Sequence, residues 1–302
     1  MLLYSLEDGH RAQRGAVTAP SLQKGSAGRG PAGRHQVRSP SIGRDLAIMH
    51  LPETAARIVS CDVFDTLLLR DHRSERCRFH EIAAVASQLL AAEHGVARRP
   101  GAIYAARLEV QRAAYRALDL ANPSGDVRFS DMLAAMTRVL GLDDRAADIL
   151  YRAEITVERA QLRANTRLMT WLRGRARAGG RIIAVSDTYH RGETIAHLLN
   201  ALAPDHPIAR IYTSADHDAT KRTRALFDVV LRSEKVPPAE ILHLGDDTLA
   251  DVTMAAAAGL RTAQLLRPRH VVLRRRLDAV RARVMHRHWI GAARSGARRI
   301  GP

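Results

Sequence analysis

An α/β fold built on a parallel sheet follows from three features of the sequence. Short apolar runs rich in β-branched residues alternate with helical patterns along the second half of the chain. One long helical block interrupts that alternation between the first run and the second. Two acidic clusters stand where apolar runs stop: Asp62-Val63-Phe64-Asp65-Thr66, and Gly245-Asp246-Asp247-Thr248-Leu249-Ala250-Asp251. Ligands of an open parallel sheet bind outside the carboxyl ends of its strands, so these acids fall where chemistry is expected.

The first strand is expected over 58–62 and the second over 181–186, the latter entered through Gly179 and Gly180. Further strands are expected at 208–213, 241–244 and 262–266, separated by helices at about 191–202, 220–234 and 248–258. The intervening block predicts helices at 80–93, 102–118, 130–140, 146–163 and 166–178. Ser130 is a candidate N-cap, and Gly141 a stop signal. Too long for a crossover helix, the block reads as an insertion between the first two strands of the core. The expected layout is a disordered basic segment at 1–50, core at 51–72, a helical cap at 73–164, core again at 165–266, and a basic, partly helical tail at 267–302.

The chain of 302 residues carries a net charge of +16, and the placement of that charge is informative. Residues 1–50 hold a surplus of four positive charges and residues 267–302 a surplus of ten, leaving two for the rest. Segment 1–50 also holds seven glycines and three prolines without apolar periodicity, as a solvated segment does. The expected body is therefore nearly neutral and the tails solvated, able to meet anionic partners. No aromatic residues interleave with the arginines, which argues against nucleic acid as the partner. Cys61 and Cys77 are too few for a disulfide scaffold, and no apolar stretch reaches membrane-spanning length. A reducing cytoplasm is the expected compartment.

Burying an unpaired carboxylate costs several kcal/mol, roughly, so Asp62 at a buried strand end needs a metal, a hydrogen-bond nest or a chemical task. Polar groups close three strands: Asp62, Ser186, and Asp246 with its neighbours. Lys221 follows the strand expected at 208–213 by a short loop. A carboxylate nucleophile, a hydroxyl, an ammonium and an oxygen-lined cation site are the parts for attack on phosphorus. Each also has a structural use, as a helix cap, a surface lysine or an arginine partner; the joint pattern carries the functional expectation.

These motifs, in order, resemble those of the haloacid dehalogenase (HAD) superfamily of hydrolases. Asp62-Val63-Phe64-Asp65-Thr66 matches its first motif, Ser186 after Ile182-Ile183-Ala184-Val185 the second, Lys221 the third, and Asp246 through Asp251 the fourth. The resemblance spans roughly 55–266, with the helical block matching the superfamily's cap. Val185-Ser186-Asp187-Thr188-Tyr189 narrows it to a bacterial subgroup of hydrolases, some of which accompany glycosyltransferases. The resemblance implies Asp62 as nucleophile and metal ligand, with the Phe64 carbonyl, Asp246, Asp251 and Asp247 as further ligands of Mg²⁺. It implies Ser186 and Lys221 as grips for phosphoryl oxygens, Asp187 beside them, and Thr66 as a brace for the loop.

The pattern departs from the superfamily's phosphatases at Phe64, where they carry a second aspartate that protonates the leaving group. Loss of a general acid costs ~10²–10⁴ in rate. Asp65, His72 and His190 are the candidates to replace it, although both histidines read as ordinary surface residues. An aromatic there also resembles the true dehalogenases, which work without metal. The expected activity is a Mg²⁺-dependent phosphohydrolase on a small phosphorylated metabolite; the alternatives are a dehalogenase-like hydrolase and a metal-binding accessory module. In the cap, Arg107, Arg112 and Arg116 read as a solvent-facing stripe. Glu154 and Glu158 read as solvated or paired with another helix.

Overall fold

The computed structural model describes residues 51–297, with side chains through Val284; the expected N-terminal segment lies outside the described residues. Five strands form one parallel sheet: β1 (Ile58–Cys61), β4 (Arg181–Ser186), β5 (Arg210–Thr213), β6 (Ile241–Gly245) and β7 (Arg261–Gln264). Their spatial order is β5-β4-β1-β6-β7, so the chain winds outward one way from β1 and then returns to wind the other way. The order reverses between β1 and β6, where a crevice opens at the strand ends of such a fold.

Burial explains the composition of these strands. With helices on both faces, every residue of β1 and β6 is buried, and both strands read as near-continuous apolar runs. Side chains alternate across the sheet. Val59, Cys61, Ile182 and Ala184 pack with Leu168 and Leu172 of α5 (Thr166–Arg177) and with Ile195 and Leu198 of α6 (Gly192–Leu202). Ile58, Ile183 and Val185 face Tyr212 and, from α8 (Ala225–Glu234), Leu226, Phe227 and Val230.

Four helices lie between β1 and β4 as the cap: α1 (Glu75–Glu93), α2 (Pro100–Ala121), α3 (Phe129–Leu140) and α4 (Arg145–Gln161). Ser74 caps α1 by accepting the Cys77 amide at 3.3 Å, and Pro100 opens α2 where its missing N–H costs nothing. Gly141 ends α3 in the left-handed conformation, as expected, with φ 60°. Ser130 is not the N-cap: Arg128 holds that position without a side-chain bond, and the Ser130 hydroxyl turns to Asp131. Two three-residue strands, β2 (Leu68–Arg70) and β3 (Leu162–Ala164), pair antiparallel where the chain leaves the core and where it returns. The cap thus hangs on a two-stranded ribbon.

The fourth-motif segment forms a π-helical turn at Thr248–Met254, followed by the short α9 (Ala255–Ala257), in place of the single helix expected. Another short helix, α7 (Ser214–His217), precedes the Lys221 loop. Helix α10 (Arg269–Ala297) corrects the expectation of a solvated tail. Its first half is docked on the body: Ser74 donates from its amide and its hydroxyl to Asp278, at 2.8 and 2.6 Å, and Ala282 is buried.

Candidate active site

Asp62, Ser186 and Asp246 lie at or just beyond the carboxyl ends of β1, β4 and β6, three adjacent strands. The Lys221 loop folds in over them. Its ammonium reaches Asp62 Oδ1 and Asp251 Oδ1, both at 2.6 Å. Burial alone would discharge this lysine, yet Asp251 and Asp62 more than offset that and hold its pKa above the ordinary value. Asp187 fixes the loop by accepting the Lys221 amide at 2.7 Å and the Arg222 amide at 3.4 Å. These bonds engage both oxygens of the Asp187 carboxylate in positioning the loop.

Asp62 is 4% exposed. Burial raises its pKa, Lys221 partly offsets the rise, and Asp251 adds to it. Asp246, on the neighbouring strand end, is pushed up to about 7, first by burial and then by the charge of Asp62, against the pull of Arg267. Asp251 is pulled well below the usual carboxylate range: Lys221 and His243 outweigh its burial. Gly245 makes that placement feasible. A Cβ there would stand 2.2 Å from the Asp251 carboxyl carbon, so the strand end and the acid approach each other only through glycine.

One carboxylate oxygen from each of Asp62, Asp246 and Asp251 falls within 4.8 Å of the others, a trio that could hold a metal ion. All three donors are hard oxygens, the set that suits Mg²⁺. Among the described residues nothing donates to Asp62 Oδ2 or Asp246 Oδ1, which leaves one oxygen on each strand end uncommitted. The residues therefore fit the ion. Asp247 does not join them: it caps the following turn through the Ala250 amide at 2.8 Å and pairs with Arg222 at 2.7 Å. Its expected place among the ligands is corrected, because the short turn after β6 spends its carboxylate on the backbone.

Two buried hydroxyls have no hydrogen-bond partner among the described residues, Ser186 Oγ and Thr66 Oγ1. Leaving such groups unsatisfied costs about 1–3 kcal/mol each, so both await an acceptor or donor from outside the chain. The Thr66 carbonyl is meanwhile braced by Asn165 Nδ2 at 3.0 Å.

No candidate general acid is in place. Asp65 sits in the left-handed region at φ 63° and accepts two bonds from the Arg275 guanidinium, both 2.7 Å. Burial raises its pKa, but Arg275, Arg267 and Arg70 overcome this and hold it at about 2, so it stays ionised. His72 is exposed. His190 is buried, contrary to the surface position expected, and packs among cap side chains with its pKa lowered to about 3 by burial. At Phe64 the Arg70 guanidinium stacks over the ring, 4.3 Å from its centroid.

Three contributors escape a reading of the sequence. Arg267 pairs with Asp246 and lies 3.4 Å from Asp65, bridging the two acidic loops. His243 is buried between Ser60 Oγ, at 2.8 Å, and Asp251 Oδ1, at 3.1 Å. Arg222 takes Asp247 away from the trio. A lone histidine inside the buried run 241–244 is a signal for the second. Arg267, three residues past β7, lands on the same carboxyl edge as the acids, which only the sheet order reveals.

No protein-family model matches the chain, and no curated protein does. Similar solved structures include the 2-haloacid dehalogenase from Pseudomonas syringae pv. Tomato DC3000, at 20% identity over 68% of this chain and 85% of that one, TM-score 0.46. The L-2-haloacid dehalogenase from Xanthobacter autotrophicus with chloropropionic acid covalently bound shares 16% identity over 72% and 81%, TM-score 0.45. A protein assigned to the HAD hydrolases, YfnB from Bacillus subtilis, in a magnesium-bound form, shares 19% over 70% and 89%, TM-score 0.42. Identities this low decide neither substrate nor reaction. Its own strand order and inserted helices give the chain a Rossmann-like parallel α/β core with a helical cap between the first two core strands, β1 and β4.

Proposed function

We propose that this chain is a Mg²⁺-dependent phosphohydrolase that cleaves a small phosphorylated metabolite through an aspartyl phosphate on Asp62. One observation carries the reading: Lys221 Nζ stands 2.6 Å from both Asp62 and Asp251, beside an Asp246 that lacks a full counter-charge. Asp62 attacks phosphorus, the bond from phosphorus to the leaving oxygen breaks, and water then cleaves the acyl phosphate to regenerate the carboxylate. Lys221 and the unpartnered hydroxyls of Ser186 and Thr66 take the phosphoryl oxygens. A divalent cation held by Asp62, Asp246, Asp251 and the Phe64 carbonyl would supply the charge that draws a phosphate dianion to an anionic nucleophile.

With Asp65 ionised and His190 buried against the cap, the leaving oxygen must depart without a proton from either. That favours acyl phosphates, anomeric sugar phosphates or pyrophosphates, whose leaving groups are stable as anions. Since only 4% of Asp62 reaches solvent, substrate enters when α1–α4 swing off the core about the β2–β3 ribbon. Two free thiols, Cys61 buried and Cys77 half-buried, suit a reducing cytoplasm.

The test is phosphate release from a panel of acyl, anomeric and simple ester phosphates with and without Mg²⁺. Expected are release from the activated members, loss with EDTA, and loss in Asp62→Asn and Asp246→Asn. Phe64 favours a second reading, carbon–halogen hydrolysis by the same Asp62. Chloride release from 2-chloropropionate that survives EDTA would establish that reading and displace the first. A folded chain that binds Mg²⁺ and cleaves neither class would be an accessory binding module.

A further inference from the structure

Helix α10 offers solvent a seam that the described chain leaves uncovered. Its inner face is fixed: Arg275 grips Asp65 and the carbonyls of Arg70 and Asp71, and Asp278 holds Ser74. On the outer face Leu273, Leu277, Val280 and Val284 are 59%, 63%, 58% and 56% exposed. Their spacing of four, three and four is that of the a and d positions of a heptad repeat.

The flanks are equally regular. Arg269, Arg276 and Arg283 recur every seven residues on one side of the seam, and Arg274 and Arg281 on the other; all five are exposed. In heptad terms they occupy g and e, the positions that select a coiled-coil partner by charge. Arginine on both flanks repels a second copy in either orientation, because parallel pairing sets g against e and antiparallel pairing sets g against g and e against e. The strict a/d seam is also narrower than the apolar arc of a helix lying in a bilayer surface.

We propose that this face docks a helix of another protein, one with aliphatic residues at a and d and glutamate or aspartate at e and g. The seam from Leu273 to Val284 covers about 18 Å of helix at 1.5 Å per residue, nearly two heptads, so the contact is short and strongly salt-dependent. A partner helix would lie against the element that holds the loop after β1, which couples docking to the site through Arg275.

The test uses the full chain and a fluorescein-labelled synthetic peptide of four heptads, leucine at a and d and glutamate at e and g, followed by fluorescence anisotropy. Binding is expected, weakening at least tenfold between low and physiological salt. The double variant Leu273→Ala, Leu277→Ala should lose at least a further tenfold, and its unchanged circular dichroism would show that it folds. The triple reversal Arg274→Glu, Arg276→Glu, Arg281→Glu should abolish binding of the glutamate peptide and create binding of a lysine counterpart. Three results would overturn the proposal: no binding of the glutamate peptide; binding indifferent to the leucine or arginine changes; or sedimentation showing a dimer that Leu277→Ala dissociates. Capture by phosphatidylserine vesicles without peptide binding would assign the face to a membrane surface instead.

Discussion

Among the described residues, two clusters of buried charge are built to opposite rules. In the cap, Glu158 takes Arg70 at 2.6 Å and Arg78 at 3.3 Å, while Glu154 takes Arg107 at 3.3 Å and the Tyr189 hydroxyl at 2.7 Å. With half-buried Glu75 beside Arg78, three carboxylates meet three guanidiniums. At the strand ends Asp62, Asp246 and Asp251 share Lys221 and Arg267, and Arg267 is shared again with Asp65. Each cluster splits its carboxylates. In the cap Glu158 is held at about 2, its arginines outweighing its burial, while burial raises Glu154 and Glu75. At the strand ends Lys221 holds Asp251 low while Asp246 rises to about 7. The balanced cluster fastens one part of the protein to another; the unbalanced one is where we propose that an ion and a substrate bind.

The largest expected effect breaks this symmetry directly. Asp62→Asn should reduce Mg²⁺-dependent phosphate release at least about 10³-fold, since no other carboxylate at the strand ends can replace a lost nucleophile. Its effect on stability should be small or favourable, because one of three crowded acids has gone. Glu158→Gln should do the reverse. Uncompensated Arg70 and Arg78 would cost about 3–5 kcal/mol in urea unfolding. Equal losses of activity and stability in both variants would erase the distinction.

Acid titration sharpens it. His190, with a folded pKa of about 3 against an ordinary 6.5, is protonated first in the unfolded chain. Its contribution is complete above pH 6.5 and drains away as the pH falls toward 3. Glu158 behaves likewise between about 4.5 and 2. Glu154, raised by burial, has the opposite sign and regains stability on protonation. His190 therefore lowers the urea midpoint as the pH falls from 6.5 toward 3, with about 3–5 kcal/mol at stake. Protonation of Asp246, raised to about 7, works in the opposite direction over the upper part of that window. His190→Asn should hold the midpoint above that of the wild-type chain at low pH relative to pH 7, and an unchanged pH profile would remove His190 from the account.

Cation binding at the unbalanced cluster should be visible without any substrate. Mg²⁺ at a hundred times its dissociation constant should stabilise the fold by about 2.7 kcal/mol, read as a rise in melting temperature. Asp246→Asn should abolish that rise, whereas Glu158→Gln should keep it. Insensitivity of the wild-type chain to Mg²⁺ would leave the site without its ion.

The reach of the sequence follows from the same contrast. Asp62, Ser186 and Asp246 were legible because strands with a strong apolar signal end at them, and a parallel sheet brings such ends together. Lys221 was legible only through its resemblance to a motif, since nothing in its own loop distinguishes it from other surface lysines. The cap cluster was half legible. Glu154 and Glu158 share a helical face, but spacing alone leaves open which side of the bundle that face meets. Arg107, read as solvent-facing, is 2% exposed because α2 turns it inward toward Glu154. Strands of three residues, β2 and β3, are too short to show a period.

The smallest effect concerns the seam between the two regions. Arg275 binds Asp65 twice and also the Arg70 and Asp71 carbonyls, so α10 clamps the chain segment that runs from the site into the cap. Arg275→Ala removes these bonds and returns Asp65, in its left-handed turn, to Arg267 and the Arg70 amide at 3.2 Å. A bidentate charged pair that is partly exposed contributes about 1–2 kcal/mol, so the melting temperature should fall by a few degrees. Arg267 would then be drawn further toward Asp65 and away from Asp246. Mg²⁺ should consequently bind Arg275→Ala more tightly than the wild-type chain, by a few-fold in a calorimetric titration. Weaker Mg²⁺ binding in that variant would mean that Arg275 supports the ion site rather than competing, through Arg267, with its charge.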